Sequence, residues 1–184
     1  IRVLGCGNVI RRILGRAITV EFKQEIMAAL GDRQYGLQKD GSGKLHRAIA
    51  TYVALHPEGV VCGLDISDAF SCIDREVVIE KVRIKTPFLA ETALHWLGAP
   101  SRHVIPNSEG APELVDQHKG LDQGCPVSPA FYAVAASDAL EATAELMRGI
   151  DPNSKVLAYL DDTYLLGTPD AAMAGYLFFK EEMR

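Results

Sequence analysis

The sequence has little of what disulfide-stabilised, zinc-binding or membrane-spanning proteins require. Its four cysteines show no Cys-x-x-Cys spacing, which argues against a zinc site or a disulfide framework and favours reduced thiols inside a cell. No apolar run approaches the roughly 20 residues that span a bilayer. Because Ile1–Gly5 shows neither an initiator methionine nor a signal-peptide pattern, we expect an intracellular segment, nuclear or cytoplasmic, of a longer protein.

Positive charge is scarce as well. The chain carries 19 Lys and Arg residues against 24 Asp and Glu residues, a formal net charge of −5 at pH 7. Free-standing nucleic-acid-binding domains are usually basic, so this balance argues mildly against one. The 48% of hydrophobic and 23% of charged residues are ordinary for a globular protein, and 184 residues suffice for one domain or two small subdomains.

Hydrophobic periodicity predicts helices first and then the order β-α-α-ββ-α-ββ-α. Helical spacing of apolar residues predicts one helix over Val9–Leu30, capped by Asn8, and a short apolar run at Gly59–Leu64 predicts a buried strand. Further helices are predicted to begin near Ser42, Asp74, Thr86, Ser128 and Thr168, with hairpins over 103–115 and 156–166. This order predicts an α+β fold with an antiparallel sheet backed by helices on one side.

Three carboxylates follow strands in this pattern. Asp161 and Asp162 lie between two apolar strands at the predicted hairpin turn, and Asp65 ends the buried strand. An ordinary Asp-containing turn and a strand-end cap are the simpler interpretations. If the strands are neighbours, however, the carboxylates converge, and their hard oxygen ligands suit Mg²⁺ or Mn²⁺. Two such ions roughly 3.5–4 Å apart can support phosphoryl transfer.

Four segments, in order, resemble motifs of reverse transcriptases, particularly those of non-LTR retrotransposons. They are Gln34–Gly36 with the glycine loop after it, Leu64–Phe70 (LDISDAF), Gly120–Phe131 (GLDQGCPVSPAF) and Tyr159–Asp162 (YLDD). The opening Arg2–Gly5 resembles the first finger motif of that family, although Val3 stands where the family usually has proline. Together the motifs extend over nearly the whole chain.

The resemblance implies a right-hand polymerase that copies an RNA template into DNA from a DNA primer and deoxynucleoside triphosphates. Residues from about 1 to 58 would be fingers-type helices, and residues from about 59 to 184 mostly palm, with 98–119 a hairpin insertion. The thumb would lie outside these residues. No membrane is implied, and the oligomeric state stays open.

The resemblance also assigns residues to the site. Asp65 and Asp161 would bind two Mg²⁺ or Mn²⁺ ions, with Ile66 as a further metal ligand and Asp162 beside them at the turn. The residues that would contact the nucleotide are Phe70, Gln123, Gly124, Ile66 and Arg2.

Two of these assignments have simpler alternatives. Phe70 would lie under the sugar, where its ring would exclude a 2′-hydroxyl, but it could instead be a core residue. The backbone of Gly124 can approach a ligand closely, and the Gln123 amide offers donor and acceptor groups, yet a plain glycine turn before a helix would also explain Gly124.

Two alternative functions remain at this point. A truncated, inactive retroelement remnant would act at most as a binding or structural module. An RNA-templated RNA polymerase would share the carboxylates and metals, but Ala69-Phe70 and the Gln123–Pro129 segment argue against it.

Overall fold

The structure, a computed structural model, describes residues 7–183, so Arg2 and its motif lie outside the described residues. The chain forms two compact units, each built from two separate stretches of sequence. We call Ile1–Ala29 with Asp68–Ala135 the first unit, and Leu30–Ser67 with Ala136–Arg184 the second unit. In the part of the chain that the structure describes, no helix has the length and apolarity needed to cross a membrane.

The helices and strands occur in the predicted order. The helices are α1 (Val9–Glu21), α2 (Lys23–Leu30), α3 (Gly41–Leu55), α4 (Ala69–Cys72), α5 (Arg75–Lys85), α6 (Ala90–Leu97), α7 (Ser128–Ile150) and α8 (Pro169–Glu182), and a 3-10 turn, Pro87–Leu89, precedes α6. The strands are β1 (Val60–Leu64), β2 (Ser101–Pro106), β3 (Pro112–Gln117), β4 (Lys155–Tyr159) and β5 (Asp162–Gly167). Within residues 7–183, the sequence pattern missed the short α4, the division of the first predicted helix at Phe22 and the 3-10 turn before α6.

Helix starts follow the capping residues in the sequence. Asn8 Oδ1 accepts a hydrogen bond from the Arg11 backbone N–H at 2.8 Å, and Asp74 Oδ1 accepts one from the Glu76 N–H at 2.8 Å. These bonds satisfy donors that the first turn of a helix leaves without a partner, which is why such residues favour that position. The predicted caps of α1 and α5 are therefore confirmed.

The second unit is built on a three-stranded antiparallel sheet in the order β1-β5-β4. Strand β1 pairs with β5 from Val60↔Gly167 to Leu64↔Thr163, and β4 pairs with β5 up to Tyr159↔Asp162. On the far side of β4 a parallel bridge joins Gln34 to Ala158. The central strand β5 is thus paired along both of its edges.

Helices cover both faces of this sheet. On one face Val156 and Leu165 pack in a cluster with residues of α7 and α8. On the other face Leu157 and Leu166 pack with residues of α3. The prediction of helices on one side only is therefore wrong. The consecutive apolar pairs in β4 and β5 explain the difference, since strands buried on both faces have continuous rather than alternating hydrophobic runs.

The first unit contains the antiparallel β2–β3 hairpin and a helical part in which α5 packs against α6. In this unit Gly120 has a φ of +78°, and an added Cβ there would stand 2.4 Å from the Ser71 carbonyl oxygen. Only glycine fits this position, because it needs both the left-handed conformation and the missing side chain.

Gly110 offers a matched comparison for Gly120. It also has a positive φ, of +81°, but nothing lies within 4 Å of an added Cβ. Gly110→Ala should lower the free energy of unfolding by about 1–2 kcal/mol through backbone strain alone. Gly120→Ala should lose about 1–3 kcal/mol more from the collision with Ser71. Urea unfolding of both variants checks this, and equal losses would contradict the collision.

Candidate active site

The two adjacent aspartates lie where β4 turns into β5. Because Tyr159 pairs with Asp162, Leu160 and Asp161 form a two-residue hairpin loop. Leu160 has φ +57°, and the mirror-image turns that suit two-residue hairpins require a positive φ at this first position. Asp161 is half-buried and Asp162 is exposed at the start of β5. The hairpin therefore presents both carboxylates at one end of the sheet.

Asp65 follows β1 at the same end. Leu64 pairs with Thr163, so the next step of this antiparallel register carries Asp65 toward Asp162. Asp65 is exposed. The structure thus brings Asp65, Asp161 and Asp162 to one end of a single sheet, as the sequence pattern required for a shared site.

Ile66, also assigned to this site, has its side chain elsewhere. It packs against the cluster of α7, α8 and the sheet. Its side chain is therefore committed to the core, and only its backbone could serve a metal or a nucleotide.

The chemistry of these carboxylates fits a divalent cation. Their oxygens are the hard ligands that Mg²⁺ and Mn²⁺ prefer, and the three side chains are exposed or half-buried. Within residues 7–183, however, no group of three or more His, Cys, Asp or Glu side chains is arranged so that it could hold a metal ion. The structure gives the location and type of the donors, and the coordination itself stays a prediction.

The two-residue loop Leu160-Asp161, which we call the aspartate turn, is held by a residue that sequence reasoning did not single out. Gln34 is 1% exposed, and its Oε1 accepts hydrogen bonds from the Leu160 N–H at 2.7 Å and the Gly36 N–H at 2.9 Å. Its Nε2 donates to the Leu160 carbonyl at 3.4 Å. A glutamine in a polar, glycine-bearing loop carries no local signal of burial, so only its place in the Gln34–Gly36 motif pointed to it.

Phe70 lies in α4, in the first unit. Its ring stacks on Tyr132 of α7, with centroids 4.7 Å apart and planes inclined by 19°. The side chain is half-buried. One face of the ring is thus packed, and the role of Phe70 as a gate stays a prediction.

The loop that carries Gln123 and Gly124 is fixed to α4 and α5, also in the first unit. The Leu121 N–H donates to the Phe70 carbonyl at 2.6 Å, and the Gly120 N–H donates to the Ile73 carbonyl at 2.9 Å. These bonds tie the loop to the helix that carries Phe70. Gln123 and Gly124 are half-buried, and among residues 7–183 the Gln123 side-chain amide makes no hydrogen bond.

Arg75 supports this loop from below, and the sequence pattern gave no sign of it. The side chain is 5% exposed and donates through Nε to the Gly120 carbonyl at 2.8 Å, through Nη1 to the Ala99 carbonyl at 3.0 Å and through Nη2 to Ser101 Oγ at 3.0 Å. Burial lowers the pKa of the guanidinium, an effect that Asp122 opposes and Arg11 reinforces.

Asp122, next to Gln123, is a buried carboxylate beside an arginine and a histidine. It is 7% exposed, and its oxygens lie 3.7 Å from Arg11 Nη2 and 3.4 Å from His103 Nε2. Arg11 also lies over the Trp96 ring, 5.0 Å from its centroid. Arg11 therefore offsets part of the cost of burying this carboxylate.

Comparisons with known proteins show the family and the fold of this chain. Residues 1–176 match the family described as reverse transcriptase (RNA-dependent DNA polymerase). A search of curated proteins found no significant match.

Solved structures with the same fold include two telomerases. Apo telomerase from Candida tropicalis, truncated from its C-terminal domain, is similar with a TM-score of 0.65 and 12% identity over 93% of this chain and 37% of that one. Telomerase from Candida albicans, in complex with the TWJ fragment of telomeric RNA, is similar with a TM-score of 0.60 and 10% identity over 91% of this chain and 31% of that one.

This chain spans about a third of the length of those telomerases, and at such low identity the likeness concerns the fold alone. The family match covers nearly all of the sequence, including the Leu64–Phe70 and Tyr159–Asp162 motifs. The chain belongs to the reverse transcriptase (RNA-dependent DNA polymerase) family.

Proposed function

We propose that this chain carries the polymerase site of a reverse transcriptase that synthesises DNA on an RNA template. A primer 3′-hydroxyl attacks the α-phosphate of a deoxynucleoside triphosphate, and pyrophosphate leaves. We further propose that the protein is intracellular and derives from a non-LTR retrotransposon, and that residues from about 59 to 184 are mostly palm. The motifs named above support the retrotransposon origin and the palm, and the cysteine pattern supports an intracellular protein.

One observation carries the proposal. The β1–β5 pairing brings the end of β1, with Asp65, to the same end of the sheet as the Leu160-Asp161 turn. Residues that lie about 100 positions apart in sequence are therefore brought to the same end of one sheet. Phosphoryl transfer depends mainly on positioning and charge stabilisation, and a sheet that fixes carboxylates in this way suits it.

Asp65 and Asp161 would hold two Mg²⁺ or Mn²⁺ ions, with the Ile66 backbone and Asp162 beside them. When bound, such ions activate the attacking hydroxyl and stabilise the leaving oxygen. Enzymes of this family generally use divalent metal ions. The contribution of the protein is to keep acidic oxygens at a fixed place, because the turn is held by backbone pairing on one side and by Gln34 on the other.

Phe70, Gln123 and Gly124 would form the nucleotide-contacting surface of the first unit. The hydrogen bond from the Leu121 N–H to the Phe70 carbonyl links the two segments. The Gln123 amide has no hydrogen bond within the described part of the chain and could serve the nucleotide or the template. Arg2 would reach the triphosphate.

Removing either proposed ligand should stop synthesis. Asp65→Asn and Asp161→Asn in the full-length protein should lower primer extension on an RNA template by more than about 100-fold, since even outer-shell changes at metal sites cost about 10–100-fold. Asp170→Asn is the control, because Asp170 is an exposed carboxylate in the first turn of α8. Extension by either ligand variant at the control rate would overturn the proposal.

Metal binding separates an active site from an inactive remnant without an activity assay. A site that binds Mg²⁺ in the folded state only should raise the free energy of unfolding by about 2.7 kcal/mol at about 100 times the dissociation constant. Asp161→Asn should abolish this gain. If Mg²⁺ and Mn²⁺ leave the unfolding midpoint of the wild-type protein unchanged, an inactive remnant that acts as a binding or structural module explains the chain better than a polymerase does.

Sugar selectivity tests the role of Phe70. Phe70→Ala should raise the relative kcat/KM for ribonucleotides, because the ring no longer meets the 2′-hydroxyl, whereas Phe70→Tyr should keep the discrimination. The ratio for the two sugars is measured in one preparation, since loss of the stacking on Tyr132 also affects stability. An unchanged ratio in Phe70→Ala would assign the residue to the core.

A further inference from the structure

The aspartate turn has a backbone conformation that needs support. Leu160 has φ +57°, in a region that branched side chains avoid, and it immediately precedes Asp161. Any change in the Leu160 backbone rotates the peptide that leads into Asp161. The direction of the Asp161 carboxylate therefore depends on what holds Leu160.

Gln34 holds it at both backbone groups. Its Oε1 accepts from the Leu160 N–H at 2.7 Å, and its Nε2 donates to the Leu160 carbonyl at 3.4 Å. We call the two hydrogen bonds of the Gln34 side chain to the Leu160 backbone the clamp. Since the amide is 1% exposed, no bulk water competes for these bonds, and a residue without an acceptor here would leave a buried N–H without a partner.

Gln34 is itself held in place, because the residues before and after it are hydrogen-bonded to β4. Its neighbours run parallel to β4, with the Tyr35 N–H donating to the Ala158 carbonyl and the Ala158 N–H donating to the Arg33 carbonyl, both at 2.8 Å. Arg33 also donates hydrogen bonds to the Glu141 carboxylate of α7 through its two terminal nitrogens, Nη1 and Nη2. The residue that makes the clamp is thus anchored to a strand and a helix of the same unit.

Gly36 leaves room for the Leu160 side chain beside the clamp. An added Cβ at Gly36 would stand 2.6 Å from Leu160 Cγ and 2.9 Å from the Leu160 nitrogen. The Leu160 side chain lies over this glycine, so the turn and the Gln34–Gly36 segment fit only in this arrangement.

We propose that Gln34 is a positioning residue for the polymerase reaction: by clamping the strained Leu160 backbone, it aims the Asp161 carboxylate at the metal site. The inference rests on the proposed function, in which Asp161 is a metal ligand. It assigns to the Gln34–Gly36 motif a mechanical role in the geometry of the aspartate turn.

Mn²⁺ affinity of the full-length protein tests the clamp independently of catalysis. Gln34→Met keeps the volume of the side chain but has no amide, so Mn²⁺ should bind about 10–100-fold more weakly, the range expected for partners that orient metal ligands. Thr143→Val is the control, because it removes another fully buried polar group in the second unit, one bonded to the Ala139 carbonyl far from the turn in sequence. It should leave Mn²⁺ affinity unchanged.

Rescue at Leu160 separates positioning from general stability. In the Gln34→Met background, Leu160→Gly should restore at least part of the Mn²⁺ affinity, because glycine adopts a positive φ without strain. Leu160→Ala should not, although it removes the same packing. Equal behaviour of the two double variants would overturn the clamp and leave Gln34 a stabilising core residue.

A second variant keeps the inference testable if Gln34→Met does not fold. Gly36→Ala retains the Gln34 amide but places a methyl group against Leu160, and it should weaken Mn²⁺ binding in the same way. Wild-type Mn²⁺ affinity in folded Gly36→Ala or Gln34→Met would contradict the inference.

Asp161→Asn distinguishes failure of the clamp from failure of the proposed function. If Asp161→Asn abolishes Mn²⁺ binding while the Gln34 and Gly36 variants bind normally, the clamp alone is wrong. If Asp161→Asn also binds Mn²⁺ and extends primers normally, the proposed function fails with it.

Discussion

The antiparallel pairing of β1 with β5 is the constraint on which the candidate site depends. It runs from Val60↔Gly167 to Leu64↔Thr163 and joins segments about 100 residues apart in the chain. A shift of one residue would turn every side chain of β1 to the opposite face. The packing of Cys62 and Leu64 against the α7–α8 cluster, with Val61 and Gly63 exposed between them, therefore fixes this register. The same register delivers Asp65 to the end of the sheet where the aspartate turn lies.

The turn adds a second constraint, because its backbone is held from outside the hairpin. Tyr159 pairs with Asp162, and the two residues between them include Leu160 with its positive φ. Such a conformation persists where the surroundings over-determine it, and strain of this kind concentrates at functional sites. Here the surroundings are the buried amide of Gln34 and the bare backbone of Gly36. The sheet, the clamp and the three carboxylates all belong to the second unit.

In the first unit, the buried side chain of Arg75 holds the loop that carries Gln123. This loop begins at Gly120, whose carbonyl accepts from Arg75 Nε. Two further N–H groups of the guanidinium donate to the Ala99 carbonyl and to Ser101 Oγ, so one side chain ties α5 to the loop and to the start of β2. An arginine suits this place because its planar fork offers several donors in fixed directions. In each unit, the segment proposed to meet substrate is thus held by one buried polar side chain from elsewhere in the chain.

The sequence by itself determined what depends on near neighbours: the caps at Asn8 and Asp74, the hairpin around Asp161 and Asp162, and the strand that ends at Asp65. Apolar spacing and capping chemistry act over a few residues, so they can be seen in the sequence. Only the tertiary structure decided that Gln34 and Arg75 are buried, that Leu160 is strained and that α3 covers the second face of the sheet. Each of these depends on a partner tens of residues or more away, such as Leu160 for Gln34, and no local pattern specifies that partner.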